Sequence, residues 1–246
     1  MPQQLLPSGS PETSRLTIPG HLEELRRRLG LCLVTLVLTS GVSFWWGERL
    51  LAWLKRPAGD LLPRLAFFSR TEALVAYVKM ALVCGAMLAL PVVLYQGWAF
   101  VRSGLNKDER GLSLAFVGWG TVLFALGVWF GYSLCLPLFL RFLLTVGSKS
   151  LLPLISISAY LSFVLGILLT CGVLFELPLV IFVLIRLGIL TPQMLRRQRG
   201  VALVILVVVA AVVTPTTDAV SLVFVTLPLM ALYELSIAFS GWFVKR

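Results

Sequence analysis

Residues 21–46 read "HLEELRRRLGLCLVTLVLTSGVSFWW". The stretch joins a charge-dense nonapeptide, 21–29, to an uncharged apolar run that ends on two tryptophans. Residues 29–46 make about 27 Å of helix, close to the roughly 30 Å of a bilayer's hydrocarbon core. A run of that length without charge reads as a membrane-spanning helix. Basic residues at its head would suffice to orient it. Glu23 and Glu24, beside Arg26, Arg27 and Arg28, need a further reason.

The rest of the chain extends the same reading. Of 246 residues, 59% are hydrophobic and 13% charged, whereas soluble domains sit near about 45–50% apolar and 25% charged. The net charge of +10 brings no aromatic-interleaved basic groove and no zinc spacing, so no nucleic-acid partner is expected. Cys32, Cys84, Cys135 and Cys171 each lie in an apolar run without C-x-x-C spacing, and read as buried small hydrophobes. Residues 1–20 carry Pro, Ser and one Arg but no apolar h-region, so a flexible N-terminal arm is expected there in place of a cleavable signal.

Beyond 29–46, three more segments are long enough to cross: 73–100, 112–136 and 157–185. Two shorter runs follow, 201–213 and 219–235, separated by "TPTTD" (214–218), whose Pro215 and Asp218 predict a turn. The fifth run makes only about 20 Å of helix, so it must thin the bilayer or shelter among longer neighbours. Six spans place both termini on one side. The segments on that side carry 13 basic residues, those on the other only seven, which predicts cytoplasmic termini. Residues 47–71 hold Pro57, Gly59 and Pro63 among apolar side chains and read as a folded cap over the opposite face. No internal repeat and no linker divides residues 21–246, which are expected to form one domain.

On a helix, Leu22, Leu25 and Leu29 share a face, and Glu23 and Glu24 precede Arg27 and Arg28 by four residues, the favourable order for ion pairs. A self-neutralised surface helix lying in the headgroups satisfies these residues. So does a carboxylate offered to a cationic partner, for which arginine's planar fork is the natural guest. Asp108 and Glu109, in the next loop on the same side, either open the third span as helix N-terminal acids or serve as a second acceptor. Glu176 falls mid-span in "CGVLFELPLVIF", where an ionisable group is costly unless paired, hydrated or neutralised. Pro178, two residues on, frees a backbone carbonyl and predicts a local bend. A hydrogen-bonded glutamic acid inside the bundle and a polar foothold for another helix both fit that position. Lys79 and Glu234 have weaker claims, since either can snorkel.

Two rival functions are open to these residues. A proton-coupled small-molecule transporter would use Glu176, Lys79 and Glu234 as a relay, but no repeated pair of Gly/Pro-broken segments accompanies them. An intramembrane enzyme lacks parts: there is one His, no H-E-x-x-H and no G-x-S-x-G. No catalytic residue, metal ligand or cofactor is expected.

Nine collinear motifs point further. They are "HLEELRRRL" (21–29), "TEALVAYVK" (71–79), "PVVLYQGWAF" (91–100), "DER" (108–110), "YLSFVLG" (160–166), "FELP" (175–178), "GILTPQMLRRQR" (188–199), "TPTTD" (214–218) and "LPLMALYE" (227–234). In this the chain resembles the TatC family, the multi-spanning receptor subunit of the twin-arginine protein translocase, from about His21 to Trp242. The resemblance implies an all-α, concave, glove-like bundle of six transmembrane helices in the cell inner membrane. It implies that the chain binds signal peptides with paired arginines and, driven by the proton motive force, helps folded cargo across. Glu24 and Glu109 would read the arginines, with Arg26 and His21 in the same patch. Glu176, Thr214 and Asp218 would contact single-span TatA- and TatB-type partners, in a working complex expected to hold more than one copy of the chain. Ser103 stands where the family usually has proline, Leu222 where it commonly has glutamine, and "TPTTD" is one residue longer than its commonest form.

Overall fold

The computed structural model describes residues 18–61, 66, 68–103, 113–145, 155–213 and 219–243. Apart from one isolated bridge, these residues are helical or connect helices. The first helix, α1, runs Ile18–Trp45 without a break. The charged nonapeptide is thus the opening of the first span and not a separate surface helix. Residues 18–20, expected in the N-terminal arm, already belong to it; residues 1–17 of that arm lie outside the described residues.

The second span is α3, Arg70–Ser103, with Pro91 inside. The third comprises α4 (Ser113–Phe130), a π-helical segment (Gly131–Cys135) and α5 (Leu136–Thr145), which carries it nine residues past the expected end at Leu136. Pro137 explains the π segment. It has no N–H to give, and the helix re-registers just before it, with the Leu136 amide donating to the Gly131 carbonyl five residues back. The fourth span is α6 (Ile157–Phe175) and α7 (Leu177–Arg186), divided at Glu176. Ser156 caps α6, its hydroxyl accepting the Ala159 amide at 3.0 Å.

"GILTPQMLRRQR" is a helix stop followed by a helix start. Gly188, at φ 72°, ends α7 with the Ile189 amide on the Leu184 carbonyl and its own amide on that of Ile185, both at 3.0 Å. Thr191 then caps the short α8, Pro192–Arg197, with proline just inside the start. The fifth span, α9 (Arg199–Val213), has 15 residues and makes about 22 Å. The sixth, α10, continues to Phe243, beyond the expected end at Leu235, and its apolar portion Ser221–Ala238, about 27 Å, is long enough to cross, so the sixth helix is not short as the run 219–235 suggested. Leu206 and Ala210, one turn apart and buried, form the seam of α9, while Val204, Val208 and Val212 stay exposed. The Arg199 guanidinium meets Glu234 of α10 at 2.8 Å, and the Tyr233 hydroxyl donates to the Leu195 carbonyl at 3.0 Å. The turn residues 214–218 lie outside the described residues.

The expected cap is present. After α1 the chain forms α2, Gly47–Lys55, and a 3₁₀ turn, Arg56–Leu61. Leu54 and Ala58 are buried, and the Trp53 ring stacks on Tyr132 with centroids 4.1 Å apart. The Tyr132 hydroxyl donates to the Trp53 carbonyl at 2.9 Å, and that of Tyr160 to the Leu54 carbonyl at 2.8 Å. A parallel bridge between Ala66 and Ser156 fastens the end of the loop to the start of α6.

Helix contacts are closest where side chains are smallest, as expected where lipid supplies no hydrophobic drive between spans. At Gly85 of α3, a Cβ would come within 2.6 Å of the Ser40 Cα of α1, and the Thr39 hydroxyl donates to the Gly85 carbonyl at 2.8 Å. At Gly127 of α4, a Cβ would stand 2.5 Å from the Cys171 carbonyl of α6. Helix α6 holds the centre, with Leu161, Val164, Leu165 and Leu168 at 1% exposure or less. Helix α1 is the opposite case. Only 6% of its apolar window is buried, so lipid is its principal neighbour.

Two outcomes follow from these lengths and contacts. Gly85→Ala should force α1 off α3 and lower stability by about 1–3 kcal/mol, the usual cost of overpacking. Gly41→Ala, with open space at its Cβ, should leave it unchanged. Thermal unfolding of both variants in detergent checks this, and an unaltered Gly85→Ala melt would refute the close contact. Spin labels along residues 201–213 should show both ends of α9 near the interfaces of a locally thinned bilayer; depths spanning a full core would rule out thinning.

Candidate functional site

Glu24 and Arg28 lie one turn apart on α1, which brings their side chains together. Arg28 donates Nε to Glu24 Oε1 at 3.1 Å and Nη2 to the same oxygen. Its Nη1 donates to Gln96 Oε1 of α3 at 3.3 Å. One guanidinium therefore ties the head of α1 to the end of the second span and holds a carboxylate there. The pair is half-buried, with the Glu24 side chain 27% exposed. Glu23, Arg26 and Arg27 are exposed on the remaining faces, and His21 falls in the first turn of α1.

Gln96 is a site residue that the pattern of the sequence concealed. In "PVVLYQGWAF" it looks like one polar position in an aromatic belt. Its only sequence signal is an amide between two aromatics where the apolar run should continue. Two residues on, Trp98 is buried and stacked on Phe116 of α4, with ring centroids 4.2 Å apart. The chain leaves α3 at Ser103 and enters α4 at Ser113; Asp108 and Glu109, in that connection, lie outside the described residues.

The second candidate is built by a break. Glu176 closes α6 and opens α7 with φ −75° and ψ −6°, its amide on the Val173 carbonyl at 3.1 Å. Pro178 cannot return a hydrogen bond to Leu174, so the helix turns there as expected. The side chain is 7% exposed. It lies toward Gly120 of α4, where an added Cβ would stand 3.3 Å from Oε2, with Leu94 and Leu179 close by. Neither carboxyl oxygen has a hydrogen-bond partner among the described residues. The expected hydrogen-bonded acid inside the bundle is therefore not what the structure shows there. Thr214 and Asp218, expected to join Glu176, lie outside the described residues.

The three residues considered for a relay occupy different surroundings. Lys79 donates to Ser162 of α6 at 2.7 Å, Glu234 is paired with Arg199, and Glu176 lies against α4. No hydrogen bond or ion pair among the described residues links them. The described residues thus offer no direct side-chain relay through all three. The four cysteines are free thiols, and Cys135 and Cys171 are buried.

Residues 20–228 match the family model described as Sec-independent protein translocase protein (TatC). The chain belongs to the TatC family. The Sec-independent protein translocase protein TatC of Listeria innocua is 37% identical over 235 residues, covering 94% of each chain. Protein TatCd of Bacillus subtilis is 35% identical over 227 residues, 92% of each chain. The crystal structure of the twin-arginine translocase receptor TatC in DDM superposes with a TM-score of 0.78 at 35% identity, covering 89% of this chain and 99% of that one. This TatC-family chain is thus a multi-pass membrane protein and a subunit of a protein translocase, built as a six-helix bundle.

Glu176 offers a test that separates structure from function. Removing a buried carboxyl with no partner relieves a desolvation cost of about 1–3 kcal/mol. Glu176→Leu should therefore leave the melting temperature unchanged or raise it, while lowering transport of a folded cargo severalfold. Glu176→Gln should keep most transport. A Leu variant that melts early, or transports normally, would remove the polar foothold.

Proposed function

We propose that this TatC-family subunit binds signal peptides bearing paired arginines through Glu24 and Glu109, and with TatA- and TatB-type single-span partners moves folded proteins across the membrane. The observation that carries the reading is Glu24, half-buried and already holding one guanidinium. The site has the chemistry of an arginine acceptor because an arginine occupies it. An incoming guanidinium can exchange with Arg28 for the same carboxylate, and Arg28 retains Gln96 as a second partner when it gives way. Glu109, in the connection between α3 and α4, is the second acceptor in this proposal. Arg26 and His21, also on α1, belong to the same proposed patch.

In this reading the termini face the cytoplasm, where the basic residues predominate and cargo arrives. Glu176, with Thr214 and Asp218, gives a partner's transmembrane helix a polar contact, a reading supported by a Glu176 carboxyl without a hydrogen-bond partner among the described residues. Copies of the chain assemble with their partners in the inner membrane, and the proton motive force drives passage.

Two carboxylates facing two planar forks should prefer arginine to lysine, which is a point charge. Glu24→Ala and Glu109→Ala should each weaken binding of a twin-arginine signal peptide by about tenfold, the range of one charge-assisted hydrogen bond partly screened by water. Glu24→Gln should be milder. The double Ala variant should bind Arg-Arg and Lys-Lys peptides alike, in titrations of the purified protein whose melt matches wild type. A full arginine preference in the double variant would place the reader elsewhere.

A further inference from the structure

Lys79 is an exposed ammonium on a membrane-spanning helix, flanked on the α3 surface by exposed Val75, Val78 and Leu82. That surface faces acyl chains. We propose that Lys79, positioned by Ser162, binds the phosphate of an anionic phospholipid headgroup, in the leaflet on the side of the cap. An ammonium carries three donors and no acceptor. One goes to Ser162 Oγ at 2.7 Å, and Ser162 spends its own proton on the Ser158 carbonyl at 2.7 Å. The nitrogen is thereby fixed in the seam between α3 and α6. Two N–H groups remain without a partner among the described residues. Glu72, seven residues earlier on the same face, is already engaged, accepting the Phe68 amide at 2.7 Å.

Depth agrees with a headgroup ligand. The apolar stretch Thr71–Phe100 has 30 residues and makes about 45 Å of helix, so about 7 Å projects at each side of a 30 Å core. Lys79 begins about 12 Å from Thr71, just below the hydrocarbon boundary. Helical side chains lean toward the N-terminus, which on α3 is the cap end, so the ammonium climbs to the phosphate level. A choline lipid brings its own cation to that phosphate. A glycerol headgroup leaves it uncompensated and is the better fit.

The purified full chain in detergent, given equal phosphatidylglycerol and phosphatidylcholine, is assayed by native mass spectrometry for retained lipid. Wild type should prefer phosphatidylglycerol about fivefold, the weight of one basic residue near an anionic surface. Lys79→Gln should abolish the preference, Lys79→Arg keep it, and Ser162→Ala, which keeps the charge but frees it, reduce it. Inorganic phosphate at millimolar concentration should not displace the lipid. An unchanged preference in Lys79→Gln with a wild-type melt overturns the site, and displacement by inorganic phosphate overturns its assignment to lipid. If Lys79→Gln fails to fold, an undiminished preference in Ser162→Ala overturns it instead.

Discussion

Everything in this bundle depends on how closely two backbones can approach in a solvent that does not push them together. Lipid tails are as apolar as leucine, so helix association rests on dispersion and hydrogen bonds at short range. Gly85 lets the Ser40 backbone in, Gly127 receives the Cys171 carbonyl, and Gly172 makes room for the Phe124 ring. These contacts place α1 on α3 and α4 on α6. Without the first, Arg28 would not reach Gln96, and Glu24 would be one more exposed acid.

The positions where the helices break are the positions where chemistry becomes available. Pro137 produces the π segment beside Cys171, and Pro178 leaves Glu176 at a junction rather than in a continuous helix. Gly188, Thr191 and Pro192 turn the chain within five residues and begin α8. In a bilayer each freed backbone group must find another partner, so such breaks persist only where neighbouring helices shelter them.

The sequence made the membrane class, the number of spans and the short fifth helix readable, because length and apolarity are properties of single segments. Cap folding over residues 47–71 was also legible from its Pro and Gly among apolar residues. The third span ran past its expected end because Pro137, which resembles a stop, is absorbed by a π segment. Glu24 stood out because charge is rare here. Gln96 did not, because its role depends on Arg28, 68 residues away, and no local pattern records such a pairing. The same holds for Lys79 and Ser162, 83 residues apart.

The cap also imposes an order on how the molecule is made. Backbone carbonyls of Trp53 and Leu54 receive hydroxyls from Tyr132 and Tyr160, and Ala66 is bridged to Ser156. All three donors or partners belong to the third and fourth spans, which leave the ribosome later. The loop after the first span therefore emerges before anything exists to fold it against. It must wait, open and hydrated, until a second hairpin has been inserted beside it. Closure of the cap thus marks the moment at which the first four spans have assembled, and a chain arrested before Tyr160 would present that loop unfolded to the proteases on its side of the membrane.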